Sequence, residues 1–148
     1  MIYEITDLTD PLLDLISGDP VRPEIPVEQR VGANARVLVL ISLDNREPQS
    51  VVCISFLNSI PTTVQQLFDP VAENPRIATL YTIWSLQPGG GQAMVLEARS
   101  WIQEHWPSVK RIVTLSPPTA MARRFHLKNG ATELQVNPET VNFEYALI

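Results

Sequence analysis

The sequence predicts a single α/β (α+β) domain, residues 1–148, with a mixed central sheet and helices on both of its faces. Two apolar runs, 36–43 and 49–58, flank a polar turn at 44–48 and indicate a β-hairpin. Behind this hairpin the chain alternates strand, helix, strand and helix, an order that packs helices against a sheet. A length of 148 residues is typical of one domain with one hydrophobic core.

The other elements are predicted from apolar periodicity and from the positions of glycine and proline. Further strands are expected where apolar and β-branched residues run together, at 1–6, 77–86, 111–115, 132–136 and 140–146. Helices are expected where apolar residues recur at three- and four-residue spacing, at 92–105 and 120–128. Proline ends the first of these helices, and Asn129-Gly130 forms a left-handed cap after the second. One or two helical turns are expected at 61–68.

The amino-terminal part of the chain contains a predicted helix followed by a proline-rich segment. Asp7 or Thr9 would cap this helix, and Gly18 would end it. Segment 19–30 begins with three closely spaced prolines, so we expect either a surface loop or a broken helix. Its Arg22 and Glu24 would face either a substrate or, as exposed loop charges usually do, water.

Composition excludes several classes of protein. A net charge of −5 argues against a general nucleic-acid-binding protein, because phosphate neutralisation requires a basic surface. With one cysteine, Cys53, no intrachain disulfide can form. We find no signal-peptide pattern, no apolar run of roughly 18 residues and no His/Cys/Asp/Glu cluster with metal-ligand spacing. A soluble cytoplasmic protein without a metal, a nucleic-acid partner or a membrane partner is therefore expected.

A glycine-rich turn joins the predicted strand 77–86 to the helix that follows. Gly89, Gly90 and Gly91, continued by Gln92 and Ala93, leave unpaired backbone N–H groups at the positive end of that helix. Such a turn suits the phosphates of a cofactor. Its spacing matches neither a dinucleotide-binding fingerprint nor a P-loop. A plain flexible turn is the alternative interpretation.

Segment 122–131, Ala-Arg-Arg-Phe-His-Leu-Lys-Asn-Gly-Ala, together with this strand–turn–helix order, resembles the GNAT superfamily of acyl-CoA N-acyltransferases. In that superfamily the amides of an Arg/Gln-x-x-Gly-x-Gly/Ala loop bind the CoA pyrophosphate. Gly91-Gln92-Ala93 matches the second half of that pattern, whereas Pro88 stands in place of the Arg or Gln. The next helix of the family carries a tyrosine that faces the CoA sulfur, and His126 occupies its position here.

Three segments are also similar to the GNAT-like carboxy-terminal domain of malonyl-CoA decarboxylase. They are Leu-Tyr-Thr-Ile-Trp-Ser-Leu-Gln at 80–87, Leu-Ser-Pro at 115–117 and Arg-Phe-His-Leu-Lys-Asn-Gly-Ala at 124–131. The resemblance implies that Ser116 and His126 form a catalytic pair, although the long insertion that separates the two residues in that family is missing. It also implies CoA contacts from the strand that meets the pantetheine arm and from the second helix, at Thr82, Ile83, Trp84 and Phe125.

Three functions follow from these resemblances. The first is an acyl-CoA-dependent N-acyltransferase, most simply an N-acetyltransferase, acting on a small amine, with a homodimer left open. The second is decarboxylation of malonyl-CoA by Ser116 and His126, and the third is a CoA-binding module without activity. In either reaction, a histidine that titrates near ~6.5 could exchange a proton at neutral pH. The structural alternatives are a helix histidine bonded to the backbone and a serine in a turn or N-cap.

Overall fold

The computed structural model describes residues 1–71 and 73–148, which form one seven-stranded sheet. In chain order the strands are β1 (Ile2–Ile5), β2 (Ala35–Ile41), β3 (Pro48–Leu57), β4 (Ile77–Ser85), β5 (Arg111–Thr114), β6 (Thr132–Val136) and β7 (Val141–Tyr145). Their spatial order is β1-β2-β3-β4-β5-β7-β6. β4 and β5 pair in parallel, and the other neighbours pair antiparallel. The mixed sheet and the β2–β3 hairpin confirm the predicted fold class.

Helices cover both faces of the sheet. The α-helices are α1 (Gly90–His105) and α2 (Ala120–Lys128), and 3-10 helices occupy Pro11–Gly18, Val27–Gln29 and Gln65–Phe68. Because strand side chains alternate between faces, β2 contributes to two separate cores. Leu38 lies in the core that α1 covers, together with Phe125 of α2. Val37 lies in the opposite core, which Leu13 and Ile16 of the first 3-10 helix cover.

The first helix differs from the prediction in its type and in its cap. It is a 3-10 helix whose N-cap is Asp10, and the Asp10 side chain accepts a hydrogen bond from the Leu12 amide at 2.9 Å. The prediction of Asp7 or Thr9 as the cap was therefore wrong. Pro11 explains the difference, because its fixed φ suits the first helical position and places the preceding aspartate at the cap. Asp7 instead accepts a bond from the Thr9 amide at 2.8 Å.

Segment 19–30 is a loop with one short 3-10 turn, as expected from its prolines, but three of its charged side chains are buried. Asp19, Arg22 and Arg30 are 4%, 7% and 0% exposed. Arg30 Nη1 lies 2.7 Å from Asp19 Oδ2, so the two opposite charges bury each other. Arg22 therefore does not face water as an exposed loop charge would, and its guanidinium bonds a main-chain carbonyl instead, whereas Glu24 is exposed as expected.

Candidate active-site cleft

The sheet splits between its two parallel strands. β4 and β5 pair from Ile77 with Arg111 to Leu80 with Thr114, and the Leu115 amide makes the last link, to the Leu80 carbonyl at 3.1 Å. β5 then ends, whereas β4 continues to Ser85. The carboxyl-terminal half of β4 is therefore left without a strand neighbour on that side, among the residues described.

A β-bulge marks the point where the strands separate. Cys53 of β3 pairs with Thr82 of β4, but Ile54 pairs with Leu80, so Tyr81 is the extra, unpaired residue of the bulge. A bulge bends its strand and increases the local twist. This bend turns the end of β4 away from β5 and opens the gap between them.

A cleft of about 610 Å³ fills this gap. This volume lies within the range of about 300–1,000 Å³ that is typical of small-molecule sites. Four parts of the chain line the cleft: the carboxyl-terminal half of β4, the turn after β5, one side of α2, and residues Pro20 and Val21 of the loop. No Asp, Glu, Lys or Arg belongs to the lining, so the cleft carries no fixed charge.

The cleft brings together most of the predicted site residues. Those that line it are Thr82, Ile83, Trp84, Ser116, Phe125 and His126. The glycine-rich turn does not line it but lies directly beside it. A Cβ atom added to Gly91 would stand 2.9 Å from both the Phe125 ring and the Ser85 hydroxyl, so the start of α1 packs against the cleft wall.

The glycines of this turn have structural reasons of their own. Gly89 has a φ of 78°, a left-handed conformation that glycine adopts without strain. A Cβ on Gly90 would overlap the carbonyl oxygen of Gln49 on β3. Both positions therefore require glycine whether or not a phosphate binds.

Two of the amides at the start of α1 already have protein partners. The Gly90 amide donates to the Gln87 carbonyl at 3.0 Å, and the Gly91 amide donates to Ser85 Oγ at 2.6 Å. The Gln92 amide makes no hydrogen bond within the described chain. A phosphate at this helix end would therefore bind the Gln92 N–H group and compete with Ser85 for the Gly91 N–H group.

His126 is held between aromatic side chains in a nearly dry environment. It is 5% exposed, its ring packs against Phe125 and Phe143, and its Nδ1 lies 2.7 Å from the Tyr145 hydroxyl. Burial lowers the pKa of His126 to about 4, because the charged imidazolium would lose its hydration. The expected ordinary value near 6.5 was therefore wrong, and the imidazole is neutral at pH 7.

The bond to Tyr145 also determines which ring nitrogen carries the hydrogen. Burial raises the pKa of Tyr145, so its phenol is protonated, and the hydroxyl has no second partner among residues 1–71 and 73–148. The Tyr145 O–H group and His126 Nδ1 both have a hydrogen-bond partner when the tyrosine donates to Nδ1. This arrangement assigns the imidazole hydrogen to Nε2, which makes that nitrogen a hydrogen-bond donor rather than a base.

Ser116 lines the same cleft but makes no hydrogen bond with His126. Its Oγ lies 2.8 Å from Thr114 Oγ1, which in turn accepts a bond from the Phe143 amide at 3.0 Å. Its backbone pairs with Val141 through two hydrogen bonds, which fix the turn after β5. A preformed serine–histidine pair of the kind that activates a serine nucleophile is therefore not present in this arrangement.

Tyr145 is the site residue that the sequence interpretation did not single out. Val141, Phe143 and Tyr145 alternate along β7 and are all buried in the core beneath α2. This alternation was the available signal, because it places two aromatic side chains on the face that a packed helix would cover. Pairing one of them with His126 required the position of α2.

Three other side chains of chemically versatile types lie outside the cleft lining. Arg123 pairs with Glu133 at the surface. Trp106 stacks on Phe56 with their ring centroids 3.8 Å apart and so has a packing role. Burial raises the pKa of the Cys53 thiol to about 12, which suits an unreactive core residue.

No group of three or more His, Cys, Asp or Glu residues that could hold a metal ion occurs in 1–71 and 73–148. None of the helices in these ranges is long and apolar enough to cross a lipid bilayer.

No protein-family model matches the sequence, and no curated protein matches it at a significant level. Solved structures do match its fold. Malonyl-CoA decarboxylase from Rhodopseudomonas palustris has a TM-score of 0.79 at 19% identity, and that from Cupriavidus metallidurans has 0.74 at 17%. Each match covers 99% of this chain and 60% of the decarboxylase chain.

An acetyltransferase of Bacillus subtilis solved in complex with CoA matches over nearly its whole length. Its TM-score is 0.65 at 12% identity, and the match covers 99% of this chain and 98% of that one. The chain therefore has the GNAT fold, which acetyltransferases and the GNAT-like domain of malonyl-CoA decarboxylase share. It spans about 60% of the length of the two decarboxylases above.

Proposed function

We propose that this chain is an enzyme that binds a CoA thioester in the cleft and, most simply, transfers its acetyl group to a small amine. The observation that carries the proposal is the split between β4 and β5. It leaves the backbone of Thr82, Ile83 and Trp84 free on one side to pair with the amides of a pantetheine arm. The start of α1, at Gly91 and Gln92, lies beside the same cleft and suits the pyrophosphate.

His126 has a defined role in this reaction. Its Nε2–H group would donate a hydrogen bond to the thioester carbonyl and stabilise the negative charge that develops on the oxygen. The amine nitrogen forms a bond to the carbonyl carbon while the carbon–sulfur bond breaks. The net proton passes from the amine to the thiolate, so no carboxylate base is required in the cleft. The amine must arrive uncharged, because the cleft lining offers no group that would accept a proton from an ammonium ion.

The Gln92 amide allows a sharp test of CoA binding. Gln92→Pro removes the one free N–H group at a first-turn position where proline is tolerated, whereas Gln92→Ala keeps that group. Isothermal titration with acetyl-CoA should show binding to the wild type and to Gln92→Ala. Binding to Gln92→Pro should weaken about tenfold, the loss expected for one charge-assisted hydrogen bond. Equal affinities for the two variants would contradict the proposed phosphate position, and no binding to the wild type would reject the function.

Decarboxylation of malonyl-CoA is the second candidate, and the convergence of Ser116 and His126 on one cleft favours it. Loss of CO₂ leaves an electron pair on the α-carbon, and the resulting thioester enolate would accept a bond from His126 Nε2–H. The Ser116 hydroxyl would donate its proton to that carbon, and the serine oxygen would recover a proton from water that enters the open cleft. An uncharged cleft destabilises a malonyl carboxylate and so favours CO₂ loss, but it also weakens malonyl-CoA binding, so this reaction ranks second.

Product analysis separates the two reactions. Incubation with malonyl-CoA and no amine should leave the thioester intact if the chain is an acyltransferase alone. Conversion to acetyl-CoA that disappears in Ser116→Ala would establish decarboxylation. Thr119→Ala is the matched control, because it removes another hydroxyl that lines the cleft and that only caps α2.

A further inference from the structure

Segment 19–22 bridges the split in the sheet from the face opposite α1. At one end, the Thr82 hydroxyl of β4 donates to Asp19 Oδ1 at 2.9 Å. At the other end, Arg22 Nη2 donates to the carbonyl of Leu115, just beyond β5, at 3.0 Å. The same four residues are therefore bonded to both sides of the gap.

The bridge is also held rigidly from within. Asp19 Oδ1 accepts bonds from the amides of Val21 and Arg22 at 2.7 and 3.1 Å, and its other oxygen pairs with Arg30. Arg30 in turn donates to the Arg22 carbonyl at 2.6 Å. These charged groups are buried, and the hydrogen bonds among them hold the segment together, although Arg22 Nε has no partner among the described residues.

Arg22 takes the place of a missing strand. Where two parallel strands continue side by side, a carbonyl such as that of Leu115 accepts a hydrogen bond from the neighbouring backbone. Here β4 has already turned away, and a buried carbonyl without a donor would be destabilising. The Arg22 guanidinium supplies the donor from the side and so ties the loop to the end of β5.

The two inner residues of the bridge form one wall of the cleft. Pro20 and Val21 line it, and Val21 is half-buried. Because Arg22 bonds Leu115, the residue before Ser116, this wall lies at the reacting end of the cleft, the end that contains Ser116 and His126.

The reacting end offers a substrate apolar contacts and few polar ones. The Thr82 hydroxyl is engaged by Asp19, and the Ser116 hydroxyl by Thr114. Since no charged side chain lines the cleft, a charged group bound there would lose its hydration without gaining a counter-charge. Apolar side chains, among them Val21 and Met121, provide the remaining contacts.

We propose that Val21 determines which acyl group the cleft accepts, and that this group is uncharged and apolar. The inference rests on the proposed use of an acyl-CoA thioester and names its acyl class. Val21→Ala removes two methyl groups from the wall and makes room for a longer acyl chain. Val21→Phe fills the same space and restricts the cleft to the shortest chains.

Isothermal titration with acetyl-, butyryl-, pentanoyl-, hexanoyl- and succinyl-CoA tests both parts of the proposal. Wild-type protein should bind pentanoyl-CoA at least about tenfold more tightly than succinyl-CoA, which has a similar length but ends in a carboxylate. In Val21→Ala, the ratio of hexanoyl- to acetyl-CoA affinity should rise about fourfold for each methylene newly accommodated. In Val21→Phe the ratio should fall.

Val27→Ala is the matched control. Val27 is a half-buried valine on the same loop that lies outside the cleft, and the substitution removes the same two methyl groups. Its acyl-chain profile should equal that of the wild type, and thermal unfolding should show that both alanine variants are folded.

The possible outcomes separate a failure of this inference from a failure of the proposed function. If the wild type binds acyl-CoA but Val21→Ala and Val27→Ala have the same chain-length profile, the role of Val21 is refuted. Succinyl-CoA binding as tight as pentanoyl-CoA binding would refute the uncharged class. If the wild type binds none of the thioesters at millimolar concentration, the proposed function fails, and the inference fails with it.

Discussion

Buried His126 should make the stability of this protein depend on pH in a specific interval. Burial lowers the folded-state pKa of His126 to about 4, whereas an unfolded histidine titrates near 6.5. Between these pH values the unfolded chain binds more protons than the folded one. The contribution of His126 to the unfolding free energy is therefore fully present above about pH 6.5 and decreases as the pH falls towards 4. A difference of about 2.5 pKa units corresponds to about 3 kcal/mol of unfolding free energy.

His126→Asn isolates this contribution, because asparagine cannot titrate yet retains an acceptor for the Tyr145 hydroxyl. The variant should be less stable than the wild type at pH 7.5, since it leaves a small cavity. Urea unfolding at several pH values should show its deficit shrinking by about 3 kcal/mol between pH 7 and pH 4. His105→Asn is the control, because His105 is the other histidine of the chain and is exposed on the last turn of α1.

The same two residues permit a direct spectroscopic check. The chain has two histidines, and the imidazole NMR signal that His126→Asn removes should resist protonation down to about pH 4 in the wild type. A His126 signal that titrates near 6.5 would refute the reasoning. So would an unfolding free energy that falls equally steeply with pH in His126→Asn and in the wild type.

Two further predictions concern stability, and urea unfolding monitored by circular dichroism measures both. Asp19→Ala should lower the unfolding free energy by about 3–5 kcal/mol, because it leaves the buried Arg30 without a counter-charge. Glu4→Ala breaks a half-exposed ion pair and should lower it by at most about 1 kcal/mol. Equal effects would contradict a stabilising role for the buried Asp19–Arg30 pair. Gly90→Ala should lower the unfolding free energy by several kcal/mol, because the new Cβ would overlap a backbone carbonyl of β3. In Gly18→Ala the new Cβ meets no atom within 4 Å, so the unfolding free energy should hardly change. A tolerated Gly90→Ala would show that α1 can shift away from the sheet.

Local sequence signals were sufficient for most of the secondary structure. α2 spans Ala120–Lys128 as predicted, and the β2–β3 hairpin occupies the expected runs to within about two residues. These elements depend on the spacing of apolar residues and on caps and turns a few residues away. That information lies within a short window of sequence, so it can be read without the fold.

The segment before β2 shows where such signals fail. Its prolines correctly excluded a regular helix, but Arg22 was expected to face a substrate or water, and the burial of Asp19 and Arg30 was not predicted. The burial of these residues depends on partners that are distant in the sequence, such as Thr82 and the carbonyl of Leu115. No local pattern records that the sheet opens at that point and that a loop closes it.

By itself, the sequence determined the order of elements, the resemblance to the GNAT fold and the choice of Ser116 and His126 as candidates. The tertiary structure decided what those residues can do. It separates Ser116 from His126 by giving each another partner, and it pairs His126 with Tyr145 in a nearly dry environment. A protonation state depends on solvation and on contacts across the fold, so only the folded arrangement shows that His126 is neutral at pH 7.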